Sequence, residues 1–144
     1  MTHNDGQDPV LIWREAGVLR LTLNRPAQFN ALSDEVLAAL QAALDDCAHD
    51  KTLQVVVIAA EGRAFCAGHD LKQMRGHAGE RDYYLDLFQR CGRLMQSIVR
   101  CPVPVIARVQ GTATAAGCQL VATCDLAVAA SSARFAVSGI NVGL

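Results

Sequence analysis

The sequence predicts an α/β fold in which parallel strands alternate with helices. Two apolar runs, 55–60 and 104–107, are rich in β-branched residues and have the length of buried strands. Each run leads through glycine and other small residues into a segment with helical spacing, which is the order expected of strand–helix units in a parallel sheet. The 144 residues are enough for one domain with its own core.

The composition indicates an ordinary globular protein. The chain is 51% hydrophobic and carries a formal net charge of -1, whereas nucleic-acid-binding domains are usually basic. No apolar run approaches the ~20 residues that a membrane-spanning helix needs. The six cysteines include no C-x-x-C pair and lie mostly in apolar patterns, which indicates small buried residues in a reducing compartment. We therefore expect no nucleic acid, no membrane and no metal among the partners.

Residues 1–8 differ from the rest of the chain in being polar and acidic. They show neither the basic-then-apolar order of a secretory signal nor the arginine-rich pattern of a transit peptide. We therefore expect a disordered tail over 1–8 and one domain over 9–144. The expected location is cytoplasmic, with a mitochondrial one as the alternative if a transit peptide is missing from the sequence.

The chain begins with a predicted hairpin of two strands, 10–13 and 18–23, which turns at 15–17. Leucines alternate along one face of the second strand, and Pro26 ends that strand. The hairpin is expected to bury the leucine face.

A helix is predicted to begin after Ser33. Its hydroxyl is a good N-cap, and Asp34 and Glu35 suit the positive first turn of a helix. The apolar stripe of this helix consists of Val36, Leu37, Leu40, Leu44 and Cys47. We expect the helix to end near 49–50.

The elements after the strand at 55–60 alternate in type. One or two helical turns are predicted at 70–74 and a long amphipathic helix at 82–99. The apolar face of the long helix, predicted to be core, consists of Tyr84, Leu87, Phe88, Cys91, Leu94, Met95 and Ile98. A strand at 104–107, a helix from 116, a buried strand at 126–130 and a short strand at 134–137 complete the order.

The stretch 109–125 has the composition of a ligand-binding or catalytic site. It combines a strand end, small and hydroxylated residues, two glycines (Gly111 and Gly117) and a helix start. A helix N-terminus leaves N–H groups unpaired, and the helix dipole adds partial positive charge there. The stretch could therefore hold an anion or a developing oxyanion. The alternative is a tight turn whose glycines only permit close packing.

Four segments together resemble the crotonase superfamily, also called the enoyl-CoA hydratase/isomerase family. They are Asn24-Arg25-Pro26, Asn30-Ala31-Leu32-Ser33, the run F-C-A-G-H-D-L at 65–71, and the run G-T-A-T-A-A-G-C-Q-L at 111–120, which is followed by Cys124-Asp125-Leu126. The resemblance implies a crotonase-like spiral of ββα units, of which this sequence would hold the N-terminal core only. Family members are longer, and their C-terminal helices cover the active site and build the trimer, so a full-length relative is expected to be a homotrimer or hexamer.

The resemblance also implies a substrate and a site. Family members bind an acyl-CoA thioester and hold its carbonyl oxygen between two backbone N–H groups, which fall here on His69 and Ala116. No separate cofactor is implied, because coenzyme A is part of the substrate. The CoA-contacting surface maps to Ala31, Leu32, Arg63, Ala64, Ala67, Asp70 and Leu71. Arg63 either pairs with a CoA phosphate or is a solvated charge in a turn.

The two proton-transferring glutamates of family hydratases are replaced. Their positions hold Gln119 and Gly139, and neither residue can take up a proton. Because a positioned acid–base group typically contributes ~10²–10⁴-fold, this predicts little hydratase activity but intact thioester binding and carbonyl polarisation.

Three hypotheses remain open from the sequence. The first is an enzyme with altered or weak chemistry, in which His69, Ser138, a residue beyond this sequence or a bound anion replaces the lost groups. The second is a catalytically silent acyl-CoA-binding protein, and the third is a truncated piece without a stable fold. For His69 the backbone N–H is the expected functional group, with a catalytic imidazole as the alternative.

Overall fold

The computed structural model describes residues 8–138 and confirms the predicted α/β arrangement. The strands are β1 (Val10–Glu15), β2 (Val18–Leu23), β3 (Val55–Ala60), β4 (Ala64–Cys66), β5 (Val105–Val109), β6 (Thr112–Thr114), β7 (Leu126–Ala129) and β8 (Phe135–Ala136). The helices are α1 (Asp34–Cys47), α2 (Leu71–Gly76), α3 (Arg81–Val99) and α4 (Ala116–Thr123), and a 3-10 turn lies at Pro26–Gln28. The short strands β4 and β6, which lie in the small-residue segments, were not predicted.

Within the described residues the strands form two sheets. The larger sheet has the order β1-β2-β3-β5-β7, in which β1 and β2 pair antiparallel and the other neighbours pair parallel. The smaller sheet, β4-β6-β8, is parallel throughout. The chain visits the sheets in turn, because β3, β5 and β7 enter the larger sheet and the strand after each enters the smaller one. Helices separate the successive strand pairs, so the architecture is the spiral of ββα units that the resemblance implied.

The turn between β1 and β2 is tighter than predicted. Glu15 is the last residue of β1, and Ala16 and Gly17 alone reverse the chain, with φ of 48° and 81°. Two consecutive residues with positive φ are typical of the type I′ turn, whose twist matches that of the two strands. The predicted strand at 10–13 is therefore two residues too short.

The core lies between the larger sheet and the helices α1 and α3. Ser33 caps α1 as predicted, because its Oγ accepts a hydrogen bond from the Val36 N–H at 3.3 Å. The helix ends at Cys47, earlier than expected. Asp34, in the first turn of α1, accepts a hydrogen bond of 2.7 Å from the Arg90 guanidinium on α3, which joins the two helices. None of the helices within residues 8–138 has the length and apolar character needed to span a membrane.

The strand predicted at 126–130 is present as β7, but the prediction that it is buried was wrong. All four residues of β7 are exposed, with Leu126 at 61% and Val128 at 66%. The strand lies at the edge of the larger sheet and pairs with β5 on one side. An apolar run of this length predicts a strand, but it cannot tell whether another layer covers that strand.

Candidate active site

Two loops of the spiral meet at the end of the smaller sheet. β4 leads through Ala67 and Gly68 into α2, and β6 leads through Ala115 into α4. Because β4 and β6 are parallel neighbours, their carboxyl ends lie at the same edge of the sheet. The elements that the motif residues occupy are thereby brought side by side.

Glycines allow the two loops to touch through their main chains. A Cβ added to Gly117 would overlap the carbonyl oxygen of Cys66, and one added to Gly111 would overlap the carbonyl oxygen of Arg63. Gly68 has φ +94°, and a Cβ there would lie 3.4 Å from the amide nitrogen of Ala116. The glycines therefore do permit close packing. As a result, the loop between β4 and α2 lies against the N-terminus of α4.

The backbone N–H groups of His69 and Ala116 have no backbone acceptor among residues 8–138. Ala116 is the first residue of α4, where an N–H has no partner within the helix and the dipole is positive. The residue before it, Ala115, has φ 50° and ψ -124°, a conformation that costs a residue with a Cβ about 1–3 kcal/mol. Its N–H donates to the Ala136 carbonyl at 2.9 Å, which holds this strained turn against β8.

A cavity of about 520 Å³ opens beside these two residues. It is lined by His69, Phe88, Cys91, Gly92, Ala115, Ala116, Cys118, Gln119, Ala122 and Val137. The lining is mostly apolar, and none of these described residues is a carboxylate. Gln119, which the resemblance aligns with the first glutamate of family hydratases, is one of the lining residues, whereas Gly139 lies outside the described residues.

The His69 imidazole is part of the cavity wall. It packs against Phe88 of α3 edge to face, with ring centroids 5.4 Å apart and an interplanar angle of 90°. Its Nδ1 is buried without a hydrogen-bond partner among the described residues. Burial lowers the pKa of His69, because the charged imidazolium loses its water. Burial therefore favours the neutral form of the ring.

The segment 24–33 holds the loop between β4 and α2 in place. The Leu32 N–H donates to the Gly68 carbonyl at 2.7 Å, and the Asp70 N–H donates to the Leu32 carbonyl at 3.2 Å. The Asp70 carboxylate caps α2 through the Gln73 N–H and forms a 3.1 Å ion pair with Arg25. These contacts join the segment 24–33 to the loop that carries His69.

The residues of the expected CoA surface divide into two groups. Arg63 and Ala67 are exposed and, with Phe29, Ala64, Thr112 and Thr114, line a second cavity of about 370 Å³. The Arg63 guanidinium lies 4.7 Å from the centroid of the Phe29 ring. Leu71 is also exposed, at the start of α2. By contrast, the side chains of Ala31 and Leu32 are buried, and Leu32 contacts the loop through main-chain hydrogen bonds to Gly68 and Asp70.

Two contributors to the site were missed by the sequence analysis. Phe88 was predicted as core, but its side chain is 46% exposed and lines the larger cavity. The Arg25–Asp70 ion pair was also not predicted, because 45 residues separate its partners. The apolar stripe of the long helix predicted that Phe88 faces inward. It could not show whether the side chain fills the core or lines a cavity.

The described chain also has a groove that contains none of the motif residues. A groove between α1 and α3 has a volume of about 530 Å³ and is lined by residues such as Gln41, Asp45 and Arg93. Between residues 8 and 138 there is no group of three or more His, Cys, Asp or Glu side chains that could hold a metal ion.

Comparisons with known proteins agree on one family. A family model described as enoyl-CoA hydratase/isomerase matches residues 13–144. The chain is 48% identical over 134 residues to enoyl-CoA hydratase domain-containing protein 3, mitochondrial, of Xenopus laevis, with 93% of this chain and 45% of that protein covered. The chain spans about half the length of the curated relatives it matches. Because such relatives are mitochondrial by name, the comparisons do not support the expected cytoplasmic location.

Solved structures give the same result. The crystal structure of an enoyl-CoA hydratase from Mycobacterium smegmatis is 60% identical in sequence, with a TM-score of 0.93 over 96% of this chain and 54% of that one. The structure of human enoyl-CoA hydratase domain-containing protein 3 is 46% identical, with a TM-score of 0.89 over 94% of this chain and 53% of that one. The spiral seen here is thus the crotonase fold.

Proposed function

Because the chain belongs to the enoyl-CoA hydratase/isomerase family, we propose that it binds an acyl-CoA thioester and polarises the thioester carbonyl between the N–H groups of His69 and Ala116. The observation that carries this proposal is a pair of backbone donors that have no backbone acceptor among residues 8–138 and lie beside an apolar cavity. One such donor is typically worth ~3–4 kcal/mol in the transition state, because the donor is fixed before charge develops on the oxygen.

The cavity suits the acyl part of the substrate, since its walls are mostly apolar and its volume is in the usual range for small-molecule sites. The second cavity, with the exposed Arg63 on its rim, suits the charged coenzyme. An Arg63→Gln variant is expected to bind acyl-CoA more weakly than the native chain does. This loss of affinity should be larger at low salt than at high salt, because ionic strength screens an exposed charge pair.

We further propose that hydration of an enoyl-CoA is weak in this protein. Gln119 can hold a water molecule but cannot take its proton, and the lining residues that are described include no carboxylate. The second candidate, a silent acyl-CoA-binding protein, is favoured by this same observation. For the whole protein we also propose a mitochondrial location, on the names of its relatives, and a trimeric or hexameric assembly, on the family resemblance.

One experiment separates the two candidates. Crotonyl-CoA hydration is measured for the native chain, for the Gln119→Glu/Gly139→Glu double variant and for Cys118→Ala as a control, alongside a binding titration. We expect the native chain to bind crotonyl-CoA with slow turnover, and the double variant to hydrate it ~10²–10⁴-fold faster. Binding without turnover of any thioester would favour the silent candidate, and absence of binding would contradict both.

The polarisation itself has a spectroscopic test. The carbonyl stretch of a bound acyl-CoA thioester is expected to shift to lower frequency than that of the free thioester, because two donors withdraw electrons from the C=O bond. An unshifted band in the saturated complex would contradict the assignment of the two donors.

A further inference from the structure

We propose that the His69 imidazole is the group that moves protons in this site, and that it supports a one-base shift of the double bond in an enoyl thioester. This inference rests on the proposed acyl-CoA site. It assigns to the side chain of His69 a role separate from that of its backbone N–H.

The position of the ring carries the inference. His69 and Gln119 line the same cavity as Ala116, so a thioester whose carbonyl lies on the two backbone donors would have its α-carbon in the space that the imidazole borders. The edge-to-face contact with Phe88 fixes the ring plane. Because Nδ1 is buried and has no partner among the described residues, Nε2 is the nitrogen that remains for a ligand.

The surroundings leave the imidazole as the one effective base among the described lining residues. From α3 it is faced by Phe88 and by the Cys91 thiol, whose pKa is raised by burial. From α4 it is faced by the Cys118 thiol and the neutral Gln119 amide. The described lining residues include no carboxylate and no cation, so none of them stabilises a proton taken up by the ring through an opposite charge.

A one-base reaction fits this set of groups. With a 3-enoyl thioester, Nε2 removes a proton from C2. The electrons of that C–H bond form a C1=C2 double bond, and the carbonyl π electrons move to the oxygen held by the His69 and Ala116 N–H groups. The dienolate then takes the same proton from the imidazolium at C4, which moves the double bond from C3–C4 to C2–C3. No water, oxidant or second acid is consumed, whereas hydration also requires a held and activated water.

The protonation state of the ring suits this role. An efficient general base has a pKa near the working pH, and burial keeps His69 in the neutral form that can accept a proton. The isomerisation rate is therefore expected to rise with pH through an apparent pKa below the ordinary histidine value of about 6.5, and then to level off.

The test uses trans-3-hexenoyl-CoA as substrate and butyryl-CoA as a binding probe, with the full chain, His69→Gln and a His49→Gln control. His69→Gln keeps the backbone N–H and removes the titratable ring. We expect it to slow isomerisation by ~10²–10⁴-fold and to abolish the rising limb of the pH profile, while butyryl-CoA affinity stays within a few-fold of the native value. His49→Gln, which makes the same change at an exposed histidine outside the cavity lining, is expected to keep the native pH profile.

The outcomes separate a failure of the His69 inference from a failure of the proposed acyl-CoA site. If butyryl-CoA binds normally but isomerisation is absent, or is unchanged in His69→Gln, the inference is overturned and the proposed acyl-CoA site stands. If the native chain binds no acyl-CoA thioester, the proposed function fails and the inference fails with it.

Discussion

His69 and Ala116 are assigned their first role through main-chain atoms, which every residue except proline provides. These atoms require that the main chains of the two loops approach closely, and the glycines at 68, 111 and 117 allow this approach. The motif was therefore recognisable from its glycines, while the two donor positions carry a histidine and an alanine, which differ in size and chemistry. This is why the sequence predicted the two donors but could not decide what the imidazole of His69 does.

Gly117→Ala is expected to destabilise the protein by about 1–3 kcal/mol, because the added methyl group would overlap the Cys66 carbonyl oxygen and push the two loops apart. The measurement is the free energy of unfolding from urea titration. Gly92→Ala is the matched control, since a Cβ on this α3 glycine meets no atom within 4 Å. That control should stabilise the protein by roughly 0.5–1 kcal/mol, because alanine favours the helix. Equal effects of the two substitutions would contradict the close approach at Gly117.

At the scale of elements, the segment 24–33 fastens the first loop to the rest of the fold. The Asn30 side chain donates to the carbonyl oxygens of Glu61 and Ala64 at 2.8 Å and 2.9 Å, and its Oδ1 accepts from the Arg25 N–H at 2.8 Å. Asn30 itself has φ 54°, which asparagine tolerates better than most residues. One side chain thus joins the 3-10 turn to both ends of the β3–β4 connection.

Asn30→Ala is expected to lower the free energy of unfolding by about 2–4 kcal/mol, because it removes three hydrogen bonds at a buried position and places alanine at positive φ. Gln28→Ala serves as control, because this neighbouring side chain is exposed. Urea titration of both variants gives the comparison. A loss for Asn30→Ala no larger than that of the control would show that the three bonds contribute nothing to stability.

Helices and long strands were predictable because their periodicity is local. The apolar stripe from Val36 to Cys47 and the cap at Ser33 place α1 within three residues of its observed end. The strands β4 and β6 have three residues each, and their pairing joins positions 48 residues apart at Ala64 and Thr112, so no local pattern indicates them. The ion pair of Arg25 with Asp70 was missed for the same reason.

At the scale of the whole molecule, the last two described strands and the residue that follows β8 present apolar side chains to solvent. Leu126, Val128, Phe135 and Val137 are exposed by 61%, 66%, 48% and 81%. The sequence analysis placed the first two in the core because it could weigh only their apolarity. Burial is a property of the complete set of layers, so a single strand does not determine it.

This surface is expected to bind the dye 8-anilinonaphthalene-1-sulfonate. Leu126→Thr/Val128→Thr should lower dye fluorescence and change the free energy of unfolding by less than ~0.5 kcal/mol, because substitutions at exposed sites have small effects. Leu19→Thr/Leu21→Thr is the contrasting variant, since both leucines are fully buried, and it should unfold the protein or raise dye binding. Unchanged fluorescence in the first variant would place the dye site elsewhere.

The hydrogen bond from the Ala115 N–H to the Ala136 carbonyl has a consequence for synthesis on the ribosome. The Ala115 turn gains this hydrogen bond only when β8 has emerged, more than sixty residues after the loop that carries His69. Before that point the turn is held to the loop by the Thr114 hydroxyl, which donates to the Ala67 carbonyl at 3.1 Å, and by the close approach of Gly117 to Cys66. We therefore expect nascent chains that end before β8 to hold this turn less firmly than the complete chain does, and the proposed acyl-CoA ligand to stabilise the complete chain more.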